Sequence, residues 1–598
     1  MSTREPRIGD GKILAFNLLV WAVMLLASIV FIARFGSNVP SWDDWDQVPT
    51  ATGHQPVTWE WLWSQHNEHR VPLPRLIMLG LMRFVALDFR VQMYFNTVLT
   101  GAVALGLLLA ARHVRGGRSS MFDAFLPIAL MHWGQAANML WGWQIQFYCS
   151  ALLGGLILML VSRLGPKTRA INIAAIGVAM MLLPLCGANG LALVPAMACW
   201  LGYAAFLGLR KREPMTPRLA MIAVIFALVS IALVGLYFLG YERVPFHPST
   251  HRVKDILSTS AKFLTMGFGP GIVALDQSLQ PAWFWRIACI GTLGLLATTL
   301  LMLLHIWRRD PKERLRSAGL ICVIGAVVSL ALGLGMGREG FESRYITLSV
   351  PALCAVYLAW SAYGRERLGR WMRGAMFILA LAALPWNTKW GLEYGRNLKQ
   401  QLAAFEADMI SGLPLYQLVH RHANYLHPHH DLPSEYLPML RNAGVGAFTR
   451  MKHNLVFREV SVPLQPVELH EMRWNDGVGQ ATGYNASVTF ALPADVPAAA
   501  GVRLRYSYTS PGGIEPYLAI FWKSLSEADF TDAQKHKYSP TGDHANWQQG
   551  TWTRLKDNVT TMTVWTCDDV GMVRVSPLYD RGTIRIHALT VLVPADVN

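Results

Sequence analysis

Runs of about 20 mostly apolar residues, the length that crosses the hydrocarbon core of a bilayer, recur through the first two thirds of this chain and stop near Trp390. A chain built this way cannot use water as its main solvent. Of its 598 residues 53% are hydrophobic and only 15% charged, against roughly 25% charged in soluble proteins. The apolar windows predict spans at 13–34, 92–111, 120–135, 144–162, 170–186, 190–209, 218–240, 284–306, 316–336, 345–363 and 374–390, about 11 transmembrane helices in all. The first run follows a basic tail (Arg4, Arg7, Lys12), yet it is too long for the core of a signal peptide and lacks a small-residue cleavage site after it, so it reads as a retained anchor.

The net charge of +15 would suit a nucleic-acid ligand, but the basic residues gather in short loops between the apolar runs. Examples are Arg112/Arg115/Arg118, Arg210/Lys211/Arg212 and Arg365/Arg367/Arg370/Arg373. That is the positive-inside pattern, and it makes those loops cytoplasmic. The assignment works only if 73–87 does not cross. That stretch begins beside Pro72 and Pro74 and carries Arg75 and Arg83, as suits an amphipathic helix lying on the membrane surface.

The remaining loops then share the non-cytoplasmic face, and they hold the polar motifs. Asp43, Asp44 and Asp46 follow the first span, among Trp42 and Trp45. Carboxylates so close repel, so at least one should hold its proton more tightly unless a cation offsets it, and such a group can serve as a general base. His66, Glu68, His69 and Arg70 come later in the same loop. Arginine offers a bidentate fork to phosphate oxygens and imidazole adds a hydrogen bond, which makes His66, His69 and Arg70 candidate phosphate ligands. Arg338, Arg344 and Tyr345 in a short loop between two spans, and Lys262 in 241–283, are further candidates. Trp42, Trp45, Trp141 and Trp143, with Glu68 and Gln144, can stack on a sugar or hydrogen-bond to it, although isolated tryptophans here equally suit the interfacial belt. His420, His422, His427, His429 and His430 cluster just beyond the last span, where a solvated junction suits them better than a metal site.

From about 456 the periodicity shortens to strand-like runs at 487–492, 502–509, 517–522, 551–555, 561–566, 571–575 and 583–593. Strands at that spacing predict an antiparallel β-sandwich. Seven cysteines with no paired spacing predict neither a disulfide framework nor zinc. Three domains are therefore expected: a membrane domain over 1–390 that includes the loop 35–91, a junction over 391–455, and the β-sandwich over 456–598.

Together, Asp43-Asp44 after the first span, the surface helix, the many spans, the Arg338 to Tyr345 segment and the terminal β-domain resemble the GT-C superfamily of polytopic glycosyltransferases that use polyprenyl-phosphate sugars. The resemblance implies a multi-pass protein of the bacterial inner membrane with a periplasmic, carbohydrate-binding-like C-terminal domain. It implies an inverting transfer in which Asp43 or Asp44 activates an acceptor hydroxyl and Arg338 or Arg344 holds the lipid phosphate. Arabinosyltransferases and hexose-transferring relatives look alike at this level. The partners implied are the lipid-linked donor, a glycan, lipid or surface-protein acceptor, and the bilayer, without nucleic acid. The reading requires no cofactor; a divalent metal beside the carboxylates is the alternative left open. A flippase of lipid-linked sugars and a non-catalytic envelope-assembly protein are the competing classes, and a transporter should place ionisable groups in mid-membrane, where these spans have almost none.

Overall fold

The computed structural model describes the chain apart from 1–7, 166–168, 211–215, 243–249, 251, 274–281, 338–341, 413–414, 428–430, 452–456, 494–495, 497–500, 510–516, 525–529, 531–550, 555–558, 566–569, 579–580 and 595–598. It divides into two compact units, Met1–Ser37 with Pro56–Lys399, and Asn38–Gln55 with Gln400–Asn598.

The first unit is helical. Among the described residues eight helices are long and apolar enough to cross a membrane: Gly9–Phe35, Arg90–Val114, Gly142–Ser162, Ala188–Leu209, Pro217–Phe238, Trp285–Arg309, Arg314–Gly337 and Ser343–Tyr363. The last is the hub, with 94% of its window buried against 11% for the first. Ala352, Ala355 and Ala359 on it are fully buried, small side chains that let neighbouring backbones approach closely. Leu19, Leu26, Leu228, Ile290 and Leu301 point outward with more than half of their surface exposed, an arrangement that suits a lipid solvent and not water.

The count of about eleven is not reproduced. The stretch 120–135 is broken into a 3-10 turn Met121–Ala124, a helix Phe125–Met131 and a turn Trp133–Gln135. Helix Arg169–Leu182 is too short for the long class, and 374–390 lies inside one continuous helix, Glu366–Ser411. Helix Pro72–Phe84 has 13 residues, about 20 Å of rise against the ~30 Å hydrocarbon core. Pro72 and Pro74 fall in its first turn, where a missing N–H costs nothing, and Met78, Leu79 and Met82 form its buried side. Ala86 at φ 50° and Leu87 at φ 62° end it with two consecutive left-handed residues, a conformation that side chains with a Cβ resist.

A buried ionic knot ties the broken stretch into the unit. Asp123 is fully buried, pairs with Arg115, and accepts a hydrogen bond from the Tyr357 hydroxyl at 2.7 Å and from Ser120 N–H at 3.0 Å. It joins helix Arg90–Val114, the helix Phe125–Met131 and the hub.

The second unit holds the acidic turn, the helices from 400 to 442 and the β-strands. Its boundary differs from the expected one. Residues 38–55 belong here because Trp45 is fully buried and donates from Nε1 to the Leu426 carbonyl at 3.0 Å. The strands form two antiparallel sheets. One runs in the order Thr551–Arg554, Tyr517–Lys523, Met572–Leu578, Ser487–Ala491, Pro466–His470. In the other, Thr583–Pro594 lies between Gly501–Thr509 on one side and Val478–Ala481 and Phe457–Ser461 on the other. Val488, Phe490, Ile520 and Val575 of the first sheet and Leu504, Tyr506, Ile584 and Val591 of the second belong to one hydrophobic core.

Asp123→Ala should lower stability by about 3 kcal/mol, because the mostly buried Arg115 loses its carboxylate and the buried Tyr357 hydroxyl loses its acceptor. Thermal denaturation of the detergent-solubilised protein checks this, and a change below ~1 kcal/mol would show that the knot is dispensable.

Candidate functional site

In the helical unit the polar motifs converge on a short hairpin. Gln65–His66 pairs with His69–Arg70 across Asn67 and Glu68, and Asn67 takes φ 49°, a left-handed conformation that asparagine tolerates. Arg70 is buried and donates to four carbonyls: Trp63 at 2.7 Å, and Tyr237, Leu239 and Gly240 at 3.0 Å each. Three of those oxygens lie at the C-terminal end of helix Pro217–Phe238, where carbonyls lack intrahelical partners and a cation is favoured. The Tyr237 hydroxyl completes the clasp by donating to the Glu68 carbonyl at 2.9 Å. Arg70, expected as a phosphate ligand, thus has four of its five N–H groups occupied by the protein. Arg75 behaves alike, binding the carbonyls of Trp61 and Ser64 at 2.6 and 2.9 Å and stacking over Trp61.

The clasp positions both histidines. His66 packs against Trp143 with ring centroids 4.8 Å apart. His69 Nδ1 accepts the Ala188 N–H at 3.2 Å, so the ring is neutral and carries its proton on Nε2. Ala188 can approach because Gly187 sits at φ 106°, ψ 179°, a region open essentially only to glycine. Trp143 and Gln144 are almost wholly buried and serve packing and not an exposed sugar platform.

Arg344 occupies a different setting. Its guanidinium lies over the Trp141 ring at 5.4 Å, and its buried Nε–H has no hydrogen-bond partner among the described residues. The loop backbone is fixed from beneath. Asn138 donates to the Arg344 carbonyl and to Thr347 Oγ1, both at 2.8 Å, and Thr347 donates to Gln135 Oε1 at 2.8 Å. Tyr345 is buried between Phe147 and Phe263. Tyr394 feels the Arg344 charge as well. Burial raises its phenol, Arg344 pulls it back and Glu342 pushes it up again, to about 12, so it stays a donor at every physiological pH. Gln135, Tyr148 and Thr347 also cap a narrow apolar crevice lined by Leu99, Val103 and Val350. Lys262 is held over Trp285 at 4.7 Å. Arg338 lies outside the described residues.

In the second unit the acidic motif forms a 3-10 turn, Trp42–Gln47. Its three carboxylates are not equivalent. Asp44 is buried and accepts the Ser41 N–H at 3.3 Å, the backward half of a capping box, while Asp43 and Asp46 are half-buried. Trp45 has no face left for a sugar, being fully buried. Trp42 is exposed and adopts φ 52°, costly for an aromatic residue and characteristic of constrained functional turns. Nearby in sequence to Leu426, His422 meets Asp408 at 2.9 Å and Arg421 meets it at 3.0 Å. Burial raises that carboxyl, but the bonds from His422 and Arg421 outweigh it and hold Asp408 below the usual carboxylate range. Among the described residues no three His, Cys, Asp or Glu side chains are grouped to hold a metal; His429 and His430 lie outside them.

The amide groups of Gln135 and Asn138 and the hydroxyl of Thr347 carried no sequence signal, since neutral polar residues within apolar runs resemble helix-packing positions.

No protein-family model and no curated protein matches the chain. Solved structures similar to it include ArnT from Cupriavidus metallidurans bound to undecaprenyl phosphate, at 14% identity and a TM-score of 0.37, covering 66% of this chain and 81% of that one. The arabinosyltransferase EmbB from Mycobacterium smegmatis matches at 11% identity and 0.28, covering 96% and 64%. The arabinofuranosyltransferase AftD from Mycobacteria matches at 12% and 0.29, covering 97% and 59%. Likeness this distant transfers no function.

Proposed function

We propose that this chain is a membrane glycosyltransferase of GT-C type that moves a sugar from a polyprenyl-phosphate donor to an acceptor hydroxyl on the periplasmic face. The observation that carries the reading is Arg344, a guanidinium fixed by an aromatic ring and an amide network beneath its backbone, yet with no ion pair among the described residues. A cation prepared in this way on a bundle that presents leucine and isoleucine outward suits the phosphate of a lipid.

In the reaction, the Asp43 carboxylate takes the proton of the acceptor hydroxyl. The freed oxygen attacks the anomeric carbon from the face opposite the phosphate. The bond between that carbon and the phosphate oxygen breaks, the lipid phosphate leaves with the electron pair, and Arg344 stabilises it while the anomeric centre inverts. Asp43 is favoured over Asp44 as the base because it is half-buried and so open to an acceptor, whereas Asp44 is buried. Trp42 supports acceptor stacking through its exposed ring. The periplasmic placement rests on the basic loops, and the acceptor class is a glycan, lipid or surface protein of the envelope.

The test is transfer by the purified, reconstituted protein from a panel of polyprenyl-phosphoryl arabinose, aminoarabinose and hexose donors, with the products identified by mass analysis. Absence of transfer from every donor overturns the reading, and movement of the donor across the bilayer without transfer favours a flippase. Asp43→Asn should reduce kcat by about 10²–10⁴ with the fold intact, and a variant retaining more than about a tenth of the rate would remove Asp43 as the base. Asp44→Ala should instead cost about 1 kcal/mol of stability. Arg344→Gln should weaken use of the donor by about tenfold or more, the loss expected for a charge-assisted bond to phosphate.

A further inference from the structure

The acidic turn is tied to the chain that follows helix Glu366–Ser411. Trp45, at the middle of the turn, is fully buried and donates to the Leu426 carbonyl at 3.0 Å. Leu426 ends the short helix Ala423–Leu426. A single helical turn is only a nucleus and does not hold its shape unaided. His422 supplies what it lacks, because its carbonyl accepts the N–H groups of Tyr425 at 3.1 Å and Leu426 at 3.0 Å. The position of His422 therefore decides the position of the Leu426 carbonyl.

His422 is gripped in turn. Its Nε2 meets Asp408 at 2.9 Å, and Arg421 meets the same oxygen at 3.0 Å. Those two bonds hold the Asp408 carboxyl below the usual range despite its burial. An ionised carboxylate only accepts, so His422 carries a proton on Nε2. Phe405, one turn before Asp408 on the same helix side, stands edge-on to the imidazole with ring centroids 5.6 Å apart. His422 and Phe405 are both buried, and in a close-packed core such a ring cannot turn without displacing its neighbours.

A second tether returns to the same place. Gly446, at φ 45°, lies so near Asn38 that a Cβ there would fall 2.7 Å from Asn38 Nδ2. Phe448 in the same turn, Gly446–Arg450, packs on Phe405 with centroids 6.4 Å apart. The segment is thus held on both sides of Asp43, at Asn38 and at Trp45, by contacts that lead back to Phe405.

We propose that the Asp408–His422 pair, braced by Phe405, is a positioning device for the acidic turn: acting through Leu426 and Trp45, it sets where the Asp43 carboxylate stands. The inference rests on the reading of Asp43 as the base, and it adds residues that act on that base through the backbone without touching substrate. It also gives His422 a role that neither a metal site nor a solvated junction supplies. Direction is what the pair contributes. Replacing a buried polar pair by apolar packing is often neutral for stability, whereas the fixed geometry is lost with it.

The experiment uses the full-length protein in nanodiscs and the variants His422→Leu, His422→Gln and Trp45→Phe, with kinetics, thermal denaturation and deuterium uptake measured on each. His422→Leu and Trp45→Phe should lower kcat about tenfold to hundredfold, the loss expected when a reacting group is misplaced, with KM for the lipid-linked donor unchanged. Both should speed uptake over 40–50 while strand Gly501–Thr509 and the Tm stay as in the wild type. His422→Gln, whose amide N–H can reach Asp408, should recover most of kcat and of the protection at 40–50. Unchanged kcat and uptake in His422→Leu and Trp45→Phe would overturn the proposal. A lowered Tm with faster uptake throughout 400–598 in His422→Leu, unrelieved in His422→Gln, would overturn it too by making His422 a packing residue alone. If His422→Leu does not fold, Trp45→Phe decides, since it removes the N–H and keeps a ring in the core. Wild-type protein that transfers no sugar would overturn the glycosyltransferase reading, and uptake at 40–50 would still decide the coupling of His422 to the turn.

Discussion

Four carbonyl oxygens converge on one guanidinium, Arg70, and the polar face of the helical unit depends on that convergence. Three of them come from the end of helix Pro217–Phe238. Where water is scarce, such orphan carbonyls need a partner from the protein. Because the partner is carried by the hairpin, satisfying the helix end also fixes the hairpin, which brings His66 against Trp143 and His69 against the Gly187 turn. Asp123, Arg115 and Tyr357 meet the same need elsewhere in the unit, with a carboxylate as the acceptor.

Against that background the arginines separate by what they touch. Arg70, Arg75 and Arg115 are consumed by carbonyls or a carboxylate. Arg344 is held by a ring and forms no ion pair among the described residues. A guanidinium cannot shed its charge, so one without a counter-ion is held ready for an anion. Candidate anion sites are therefore better sought by asking which cations are left over than by asking where cations lie.

Much of the architecture was legible from periodicity. Seven of the strands, from Ser487–Ala491 to Thr583–Pro594, coincide with the strand-like runs, and in Gly501–Thr509 the buried Leu504, Tyr506 and Tyr508 alternate with the more exposed Arg503, Arg505 and Ser507. The strands before them are less legible because each is at most five residues long and Pro466–His470 is mostly exposed, so no buried apolar face marks it. The break at 120–135 was hidden because its breakers, Gly134 and the capping Ser120, are ordinary members of an apolar window. Among the candidate site residues, the sequence singled out Arg344 and the acidic triplet but could not separate Arg70 from Arg344, since the distinction lies in carbonyls supplied by helix Pro217–Phe238, far along the chain. The association of 38–55 with the C-terminal unit was equally invisible, since its contacts, such as the indole N–H that reaches Leu426, join residues far apart in the chain.

The unequal carboxylates of the acidic turn carry an evolutionary corollary. Asp44 accepts one backbone N–H, a duty that Asn, Glu or Gln could perform with small adjustments of reach. Asp43 has no such substitute if its value lies in accepting a proton. Two neighbouring aspartates that look interchangeable in a single sequence should thus diverge in tempo across descendants of this gene, one drifting among hydrogen-bond acceptors and the other standing still.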